Sequence, residues 1–471
     1  MRRVVLSMLL VLGAAGAVRA AESLEGHWGG VLDVGGTQLT LITHFTRDGN
    51  AWKGTMDSVS QGAMGLAMDL VSFEAGKLHF DMKAIGGQYD GEMAADGNSI
   101  VGHWKQSGLD LPLEFKRTAD PSSLAPKRPQ EPRPPLPYDE QEVSYENPRA
   151  KITISGTLAL PRTPGPHPAV LLITGSGPQD RNETLAGHRP FLVLSDHLVR
   201  AGIAVLRVDD RGVGKTTGSF EQATTADFAD DARAGVAYLQ TRTEIDPKRI
   251  GLVGHSEGGV VAPMVAAGSL DVAFIVMMAG VGVPADQLSI RQSELMMRAG
   301  GTPDVLVAAN REALEKMFRI VREDPDPASA GPRLQAVGDD LKNTFTAMDP
   351  SLAQVVGAQV DASVSMINSP WFRRLLTLDP AATLGKVKVP VLAINGSLDL
   401  QVDPKQNLPA IEQALRDGGN KDVTVRELPG LNHLFQTATT GSMTEYGTIE
   451  ETMAPLAMQT ISDWILAKTK R

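Results

Sequence analysis

The segment from Ile250 to Ala262 constrains this chain more than any other. A short apolar run, Ile250-Gly251-Leu252-Val253, leads into Gly254-His255-Ser256-Glu257-Gly258-Gly259 and then into the helix-like Val260-Val261-Ala262. A strand that meets Gly-x-Ser-x-Gly and turns at once into a helix predicts a tight strand–turn–helix elbow. The flanking glycines are needed because strand and helix must approach closely at such a turn. The surroundings agree. Further apolar strand-like runs are Ile152–Leu160, Ala169–Ile173, Ile203–Val208, Phe274–Met278, Val391–Ile394 and Val423–Leu428. Helix-period segments near 188–201, 225–242, 257–267, 405–417 and 449–468 lie among them. Continuous apolar strands alternating with amphipathic helices predict an α/β architecture, a mostly parallel sheet covered on both faces. One stretch breaks the alternation. Residues 284–375 carry helix-like runs such as Val305–Val321 and no convincing strand. That is too long for an ordinary connection, and it is read as a mainly helical cap over the end of the sheet.

The first part of the chain has another texture. Residues 22–117 are glycine-rich, with short alternating runs such as Leu39-Thr40-Leu41-Ile42-Thr43-His44-Phe45 and Lys77-Leu78-His79-Phe80-Asp81-Met82. Turn signals at Asp48-Gly49-Asn50, Gly86-Gly87 and Asp96-Gly97-Asn98 separate the runs. This pattern predicts a separate antiparallel β domain, a small barrel or sandwich. Gly26-His27-Trp28 is echoed by Gly102-His103-Trp104. Between the two bodies, prolines stand at 121, 126, 129, 132, 134, 135 and 137. Proline removes backbone donors and fixes φ, so residues 118–142 are read as an extended, semi-rigid linker, with a catalytic domain over 143–471.

Arg2 and Arg3, an apolar run from Val4 to about Ala17, and Val18-Arg19-Ala20-Ala21 form the three-part pattern of a Sec-type signal peptide cut after Ala20. The run is shorter than the roughly 20 residues that span a bilayer. The expectation is a periplasmic or secreted protein with no stable membrane anchor. With 45 basic and 55 acidic residues the net charge is −10, which speaks against a nucleic-acid partner. The absence of cysteine excludes disulfides, thiolate metal sites, iron–sulfur clusters and a cysteine nucleophile.

Ser256 at such an elbow is a candidate nucleophile, and a serine hydroxyl needs a base. In this kind of fold the chain order is serine, acid, histidine. His433, in Pro429-Gly430-Leu431-Asn432-His433, is the one histidine after His255, and it follows a strand-like run. Asp399 lies in the loop after Val391–Ile394 and is the candidate acid; Asp403 is the competitor, but its place before Pro404 suits a helix N-cap. Oxyanion donors are expected from the backbone of Glu257 and from the loop Thr174-Gly175-Ser176-Gly177, with Ser176 first and Gly177 second. Gly214-Lys215-Thr216 looks like the end of a phosphate loop, but Asp209 stands where that motif needs glycine. The histidines at 27, 44, 79 and 103 lack metal-ligand spacing, so no metal or nucleotide cofactor is expected. Asp180, Arg181 and Glu183 are read as either an ion-pair network around the oxyanion loop or a solvated loop.

Residues 143–471 resemble the α/β-hydrolase superfamily of serine hydrolases, and within it bacterial carboxylesterases of the EstD type. The matching pieces are Gly175-Ser176-Gly177-Pro178-Gln179-Asp180-Arg181-Asn182, Asp209-Asp210-Arg211-Gly212-Val213-Gly214, Gly254-His255-Ser256-Glu257-Gly258-Gly259, Asn368-Ser369-Pro370-Trp371-Phe372 and Asn395-Gly396-Ser397-Leu398-Asp399. The resemblance implies Ser256, Asp399 and His433 as a triad, Ser176 and Glu257 as oxyanion donors, and a small-molecule ester as substrate. Thr174-Gly175 departs from the His-Gly that many members carry there. Three other uses of such a body are weighed: a peptidase or amidase with the same triad, an acyltransferase, and a non-catalytic lipid- or glycan-binding protein. For residues 22–117 three roles are compatible: shaping the substrate entrance, dimerisation, or binding of cell-envelope material.

Overall fold

The computed structural model describes residues 23–34, 37–59, 63–106, 108–124, 126–348, 350 and 353–470. The signal-peptide reading, on residues 1–20, lies outside the described residues. The chain divides into two compact units, with the main break after Leu124.

The first unit is one antiparallel sheet. Its strands are β1 (Gly26–Val34), β2 (Thr37–Asp48), β3 (Ala51–Ser58), β4 (Ala63–Ala67), β5 (Leu70–Glu74), β6 (Lys77–Met82), β7 (Gly87–Met93), β8 (Ser99–Gln106) and β9 (Leu109–Thr118). They lie in the order β4-β3-β2-β1-β9-β8-β7-β6-β5. The sheet is strongly curled. Phe45 on β2 and Phe80 on β6 are five strand positions apart, roughly 24 Å in a flat sheet at about 4.8 Å per strand. Their rings are 6.0 Å apart. Phe80 also stacks on Tyr89 at 5.3 Å and lies 6.5 Å from Phe115, so one aromatic core serves the whole curl. The β4–β5 connection bonds to both flanks, Met68 N–H to the Gly54 carbonyl and Asp69 N–H to the Asp81 carbonyl. The two echoed segments fall on β1 and β8, on either side of β9, and bury Trp28 and Trp104 in the same core. His44, His79 and His103 sit beside Asp57, Asp90 and Asp110. Among the described residues no cluster of three such groups is arranged to hold a metal ion.

The second unit contains β10 (Tyr138–Asn147), β11 (Ile152–Pro161), β12 (His167–Ile173), α1 (Pro190–Arg200), β13 (Ala204–Val208), α2 (Thr225–Gln240), β14 (Ile245–His255), α3 (Gly258–Ala266) and β15 (Phe274–Met278). Five helices follow: α4 (Ala285–Ala299), α5 (Asp304–Glu323), α6 (Pro327–Met348), α7 (Ala353–Ile367) and α8 (Pro370–Leu375). The unit closes with α9 (Pro380–Leu384), β16 (Val391–Gly396), α10 (Pro404–Asp417), β17 (Val423–Leu428) and α11 (Pro455–Thr469). The eight strands are ordered β10-β11-β13-β12-β14-β15-β16-β17. From β13 to β17 all neighbours are parallel, while β10 and β11 run antiparallel.

Strand alternation feeds two cores at once. On β12, Val170 and Leu172 pack with Leu194 and Leu198 of α1 and Ile461 of α11. Ala169 and Leu171 point the other way, toward Ala232 and Val236 of α2 and Ile411 of α10. The helical stretch between β15 and β16 has its own core, in which Phe318 of α5 stacks on Phe372 of α8 at 5.6 Å. Among the described residues no helix is long and apolar enough to cross a membrane.

Two features of the proline-rich region differ from the expected linker. Strand β10 begins at Tyr138, inside the range 118–142, and pairs with β11 through ten residues. It is an edge strand whose Glu140 and Glu142 lack the apolar signature of a buried strand. The preceding segment is held by side chains in place of the missing backbone donors. Arg128 donates to the carbonyls of Gly187, Gly447 and Ile449, and the Gln130 side-chain oxygen accepts from the amides of Thr452 and Met453.

Because Phe80 is fully buried where several rings meet, Phe80→Ala is expected to lower the stability of the first unit by about 3–5 kcal/mol. A urea titration followed by the fluorescence of Trp28, Trp52 and Trp104 checks this; an unchanged midpoint would contradict the single-core description.

Candidate active site

The elbow is built by backbone contact. A Cβ on Gly254 would lie 2.0 Å from the Gly258 carbonyl oxygen, and a Cβ on Gly258 would lie 2.2 Å from that of Ile173. No side chain fits either position, so the strand can turn into α3 without a gap. The cost appears at Ser256, which has φ +53°, a left-handed conformation that a non-glycine residue adopts only when its surroundings hold it there. The Ser256 N–H donates to the Met278 carbonyl at 2.9 Å, which fixes the turn to β15.

Asp399 and His433 come together from loops after adjacent strands, β16 and β17. His433 Nδ1 is 2.8 Å from Asp399 Oδ2, and both residues are buried. The other carboxylate oxygen, Oδ1, accepts from the amides of Gln401 at 2.8 Å and Val402 at 2.9 Å. The Asp399 carboxylate is therefore held at both oxygens. Its bond to Nδ1–H leaves Nε2 as the basic nitrogen of His433. The two loops are joined by Leu398 N–H donating to the Leu431 carbonyl, an approach that Gly396 permits, since a Cβ there would lie 2.2 Å from that oxygen. Asn432 Oδ1 accepts the amides of Leu434 and Gln436 and shapes the turn around His433. Asp403 does other work: it caps α10 through the Lys405 amide and pairs with Arg291.

The loop after β12 runs against the elbow. A Cβ on Gly175 would lie 3.3 Å from Ser256 Cβ. Gly177 has φ +98°. Among the described residues neither the Ser176 nor the Glu257 amide is taken by a protein acceptor. Ser176, Ser256 and Glu257 line one pocket whose other walls are Val260, Val281, Val283, Leu288, Leu375 and Leu378 among others. Several of these belong to the helical insertion or the segment just after it, which places that insertion beside Ser256.

Carboxylates that the sequence did not single out hold this loop. Asp210 accepts from Thr174 Oγ1 at 2.9 Å and from the Gln179 amide at 3.0 Å. Asp209 receives the Arg181 amide and guanidinium, and Arg181 also reaches Glu142. Asp209 and Asp210 thus clamp the loop after β12. Asp180 accepts within its own turn, from the Asn182 and Thr184 amides and the Thr184 hydroxyl. Glu183 turns inward to His255. The Glu257 side chain is buried as well. Its Oε1 accepts from Thr225 Oγ1 at 2.7 Å and from the Trp371 indole at 2.9 Å, which ties α8 to the elbow. Burial pushes the Glu257 carboxyl above the ordinary carboxylate range.

Burial also pushes the Asp210 carboxyl up, to about 7, against about 3.9 in an unfolded chain. A raised carboxyl means stability that is present at low pH and is lost as pH rises between these two values. Asp210→Asn removes this titration. Its melting temperature relative to wild type is expected to improve steadily from pH 4 to pH 7 and to level off above. A gap that stays constant across that range would refute the burial cause.

Residues 170–439 match the alpha/beta hydrolase family. Esterase EstD of Thermotoga maritima is 25% identical over 301 residues, covering 64% of this chain and 61% of that protein. Putative hydrolase YtaP of Bacillus subtilis is 30% identical over 122 residues, covering 22% of this chain and 41% of that protein. The chain thus spans less than two thirds of the length of either relative. Among solved structures, the esterase Pf2001 of Pyrococcus furiosus aligns with 14% identity and a TM-score of 0.42, covering 70% of this chain and 93% of that one. With more than half of its residues inside the family match, and an eight-stranded sheet carrying a Gly-x-Ser-x-Gly elbow, this chain belongs to the alpha/beta hydrolase family.

Proposed function

We propose that this chain is an exported serine hydrolase that cleaves small-molecule carboxylic esters through Ser256, His433 and Asp399. The observation that carries the reading is the 2.8 Å bond between His433 Nδ1 and a fully engaged Asp399 carboxylate, in the unit where Ser256 stands on a strained elbow. Export rests on the three-part pattern of residues 1–20. The 25% identity to Esterase EstD supports an ester as substrate.

The reaction follows from the parts. Ser256 Oγ attacks the acyl carbonyl while His433 Nε2 takes its proton. Asp399 holds the imidazole in the required tautomer and stabilises the imidazolium. The amides of Ser176 and Glu257 receive the oxyanion, and the positive end of α3 lies behind them. His433 returns the proton to the departing alcohol and leaves an acyl-enzyme. Water, deprotonated by His433, then releases the acid and frees Ser256. The walls of the pocket beside Ser256 are mostly Val and Leu. A short- to medium-chain acyl group suits that lining.

Ser256→Ala is expected to abolish fluorophosphonate labelling and to lower p-nitrophenyl ester hydrolysis by roughly 10⁴-fold or more. If both forms hydrolyse equally, or wild type fails to label, the serine mechanism is wrong and a non-catalytic binding protein becomes the better reading. Asp399→Asn should lose about 10⁴-fold in kcat through the wrong histidine tautomer. Asp403→Ala should stay within tenfold and lose about 1 kcal/mol of stability with its cap. Leu375→Trp narrows the pocket and should move the best substrate to a shorter chain; an unmoved optimum in a chain-length series would place the acyl group elsewhere.

A further inference from the structure

Beside the elbow lies a buried Glu–His pair that the reaction as written does not use. His255, the residue before the proposed nucleophile, is 5% exposed, and Glu183 is 3% exposed. His255 Nδ1 is 2.9 Å from Glu183 Oε1, and its Nε2 is 3.0 Å from the backbone carbonyl oxygen of His433. A carbonyl oxygen can only accept. Glu183 Oε1 already receives the Gly175 amide at 2.8 Å, so it too is acting as an acceptor. Hydrogen on both ring nitrogens of His255 satisfies both contacts and makes the ring an imidazolium facing a carboxylate.

The placement is specific. Glu183 has φ +54° in a turn closed by its own N–H to the Asp180 carbonyl, and Asp180 accepts the neighbouring amides. A strained residue held by a local turn is a device for aiming a side chain. Three pieces from different strand ends converge on this pair. They are the oxyanion loop through Gly175, the elbow through His255, and the base's loop through the His433 carbonyl. The His255 and His433 rings are 4.8 Å apart, tilted by 43°. With a single ring proton, one nitrogen lone pair of His255 would face either Glu183 Oε1 or the His433 carbonyl oxygen, and attraction at that contact would become repulsion.

We propose that Glu183 and His255 are positioning residues: a buried carboxylate–imidazolium pair that sets the spacing of the oxyanion loop, Ser256 and His433, and so governs kcat without touching substrate. This rests on the triad reading above. The titratable groups around His255 are Glu183, His433 and Asp399. Burial works against its charge, but the Glu183 carboxylate and the His433 carbonyl outweigh burial and raise its pKa above the ordinary imidazole range.

Two measurements on the full chain test this. In the first, nitrogen-15 NMR of histidine-labelled wild type reads the ring states, with His255 assigned by the signal missing from His255→Gln. Both His255 ring nitrogens should be protonated at pH 7.5, and a neutral imidazole there overturns the proposal whatever the variants do. The second compares kcat and KM in Glu183→Gln and His255→Gln. Gln at 183 keeps the shape and both acceptor contacts but removes the charge. A loss of about 10- to 100-fold in kcat, typical of a reacting group misplaced by about 1 Å or less, with KM changed less than threefold, supports positioning. Folded variants with wild-type kcat overturn it. The two readings fail separately. If wild type lacks Ser256-dependent ester turnover, the triad assignment falls and the proposed pair loses its catalytic role. If wild type turns over normally and the folded variants do too, only the pair's role falls.

Discussion

At the end of β14 the backbone leaves no room for a Cβ at either glycine that flanks Ser256. This exclusion of volume is the constraint on which the rest of the site depends. With Gly254 against Gly258 and Gly258 against Ile173, the chain can leave the strand and enter α3 within two residues. Only then does Ser256 take φ +53°. The strain, of order 1–3 kcal/mol at such a residue, is held by the bond from its amide to β15 and by the two packed cores on either face of the sheet. A site this local needs a large, rigid body around it.

The proposed reacting groups all come from loops at the ends of parallel strands. The loop of Ser176 follows β12, the elbow follows β14, the loop of Asp399 follows β16 and the loop of His433 follows β17. Parallel neighbours bring these ends to one edge of the sheet, so residues far apart in the chain share one place. The loops are then fastened by polar groups. Asp210 and Asp209 clamp the first of them, Asp399 is engaged at both oxygens, and Asn432 shapes the last. Preorganisation of this kind lets fixed dipoles meet developing charge without rearranging at the moment of reaction.

The helical insertion joins this arrangement through an unusual contact. Trp371 on α8 donates to Glu257, whose own amide is a proposed oxyanion donor. The cap is therefore bonded to the elbow as well as packed beside it. Its apolar core of Phe318, Phe372 and neighbours makes it a stable body, and its inner residues share the pocket with Ser256. Part of that pocket's wall thus comes from a segment that carries none of the proposed reacting groups.

Much of this was legible in residues alone. The elbow, the alternation of strands and helices, the strand-free insertion and the order of Ser256, Asp399 and His433 are written in glycine spacing, short apolar runs and capping patterns. Those signals are local, because they reflect sterics and periodicity within a few residues. What tertiary structure decided has no local pattern. Strand β10 is charged at its exposed positions and is a strand because β11 pairs with it. The proline-rich segment is anchored by Arg128 and Gln130 on carbonyls and amides more than 300 residues away. Glu183 meets His255 across 72 residues and Glu257 meets Trp371 across 114. A buried charge declares its partner only when the chain has closed around it. Burial makes the partner necessary, and burial is a property of the fold.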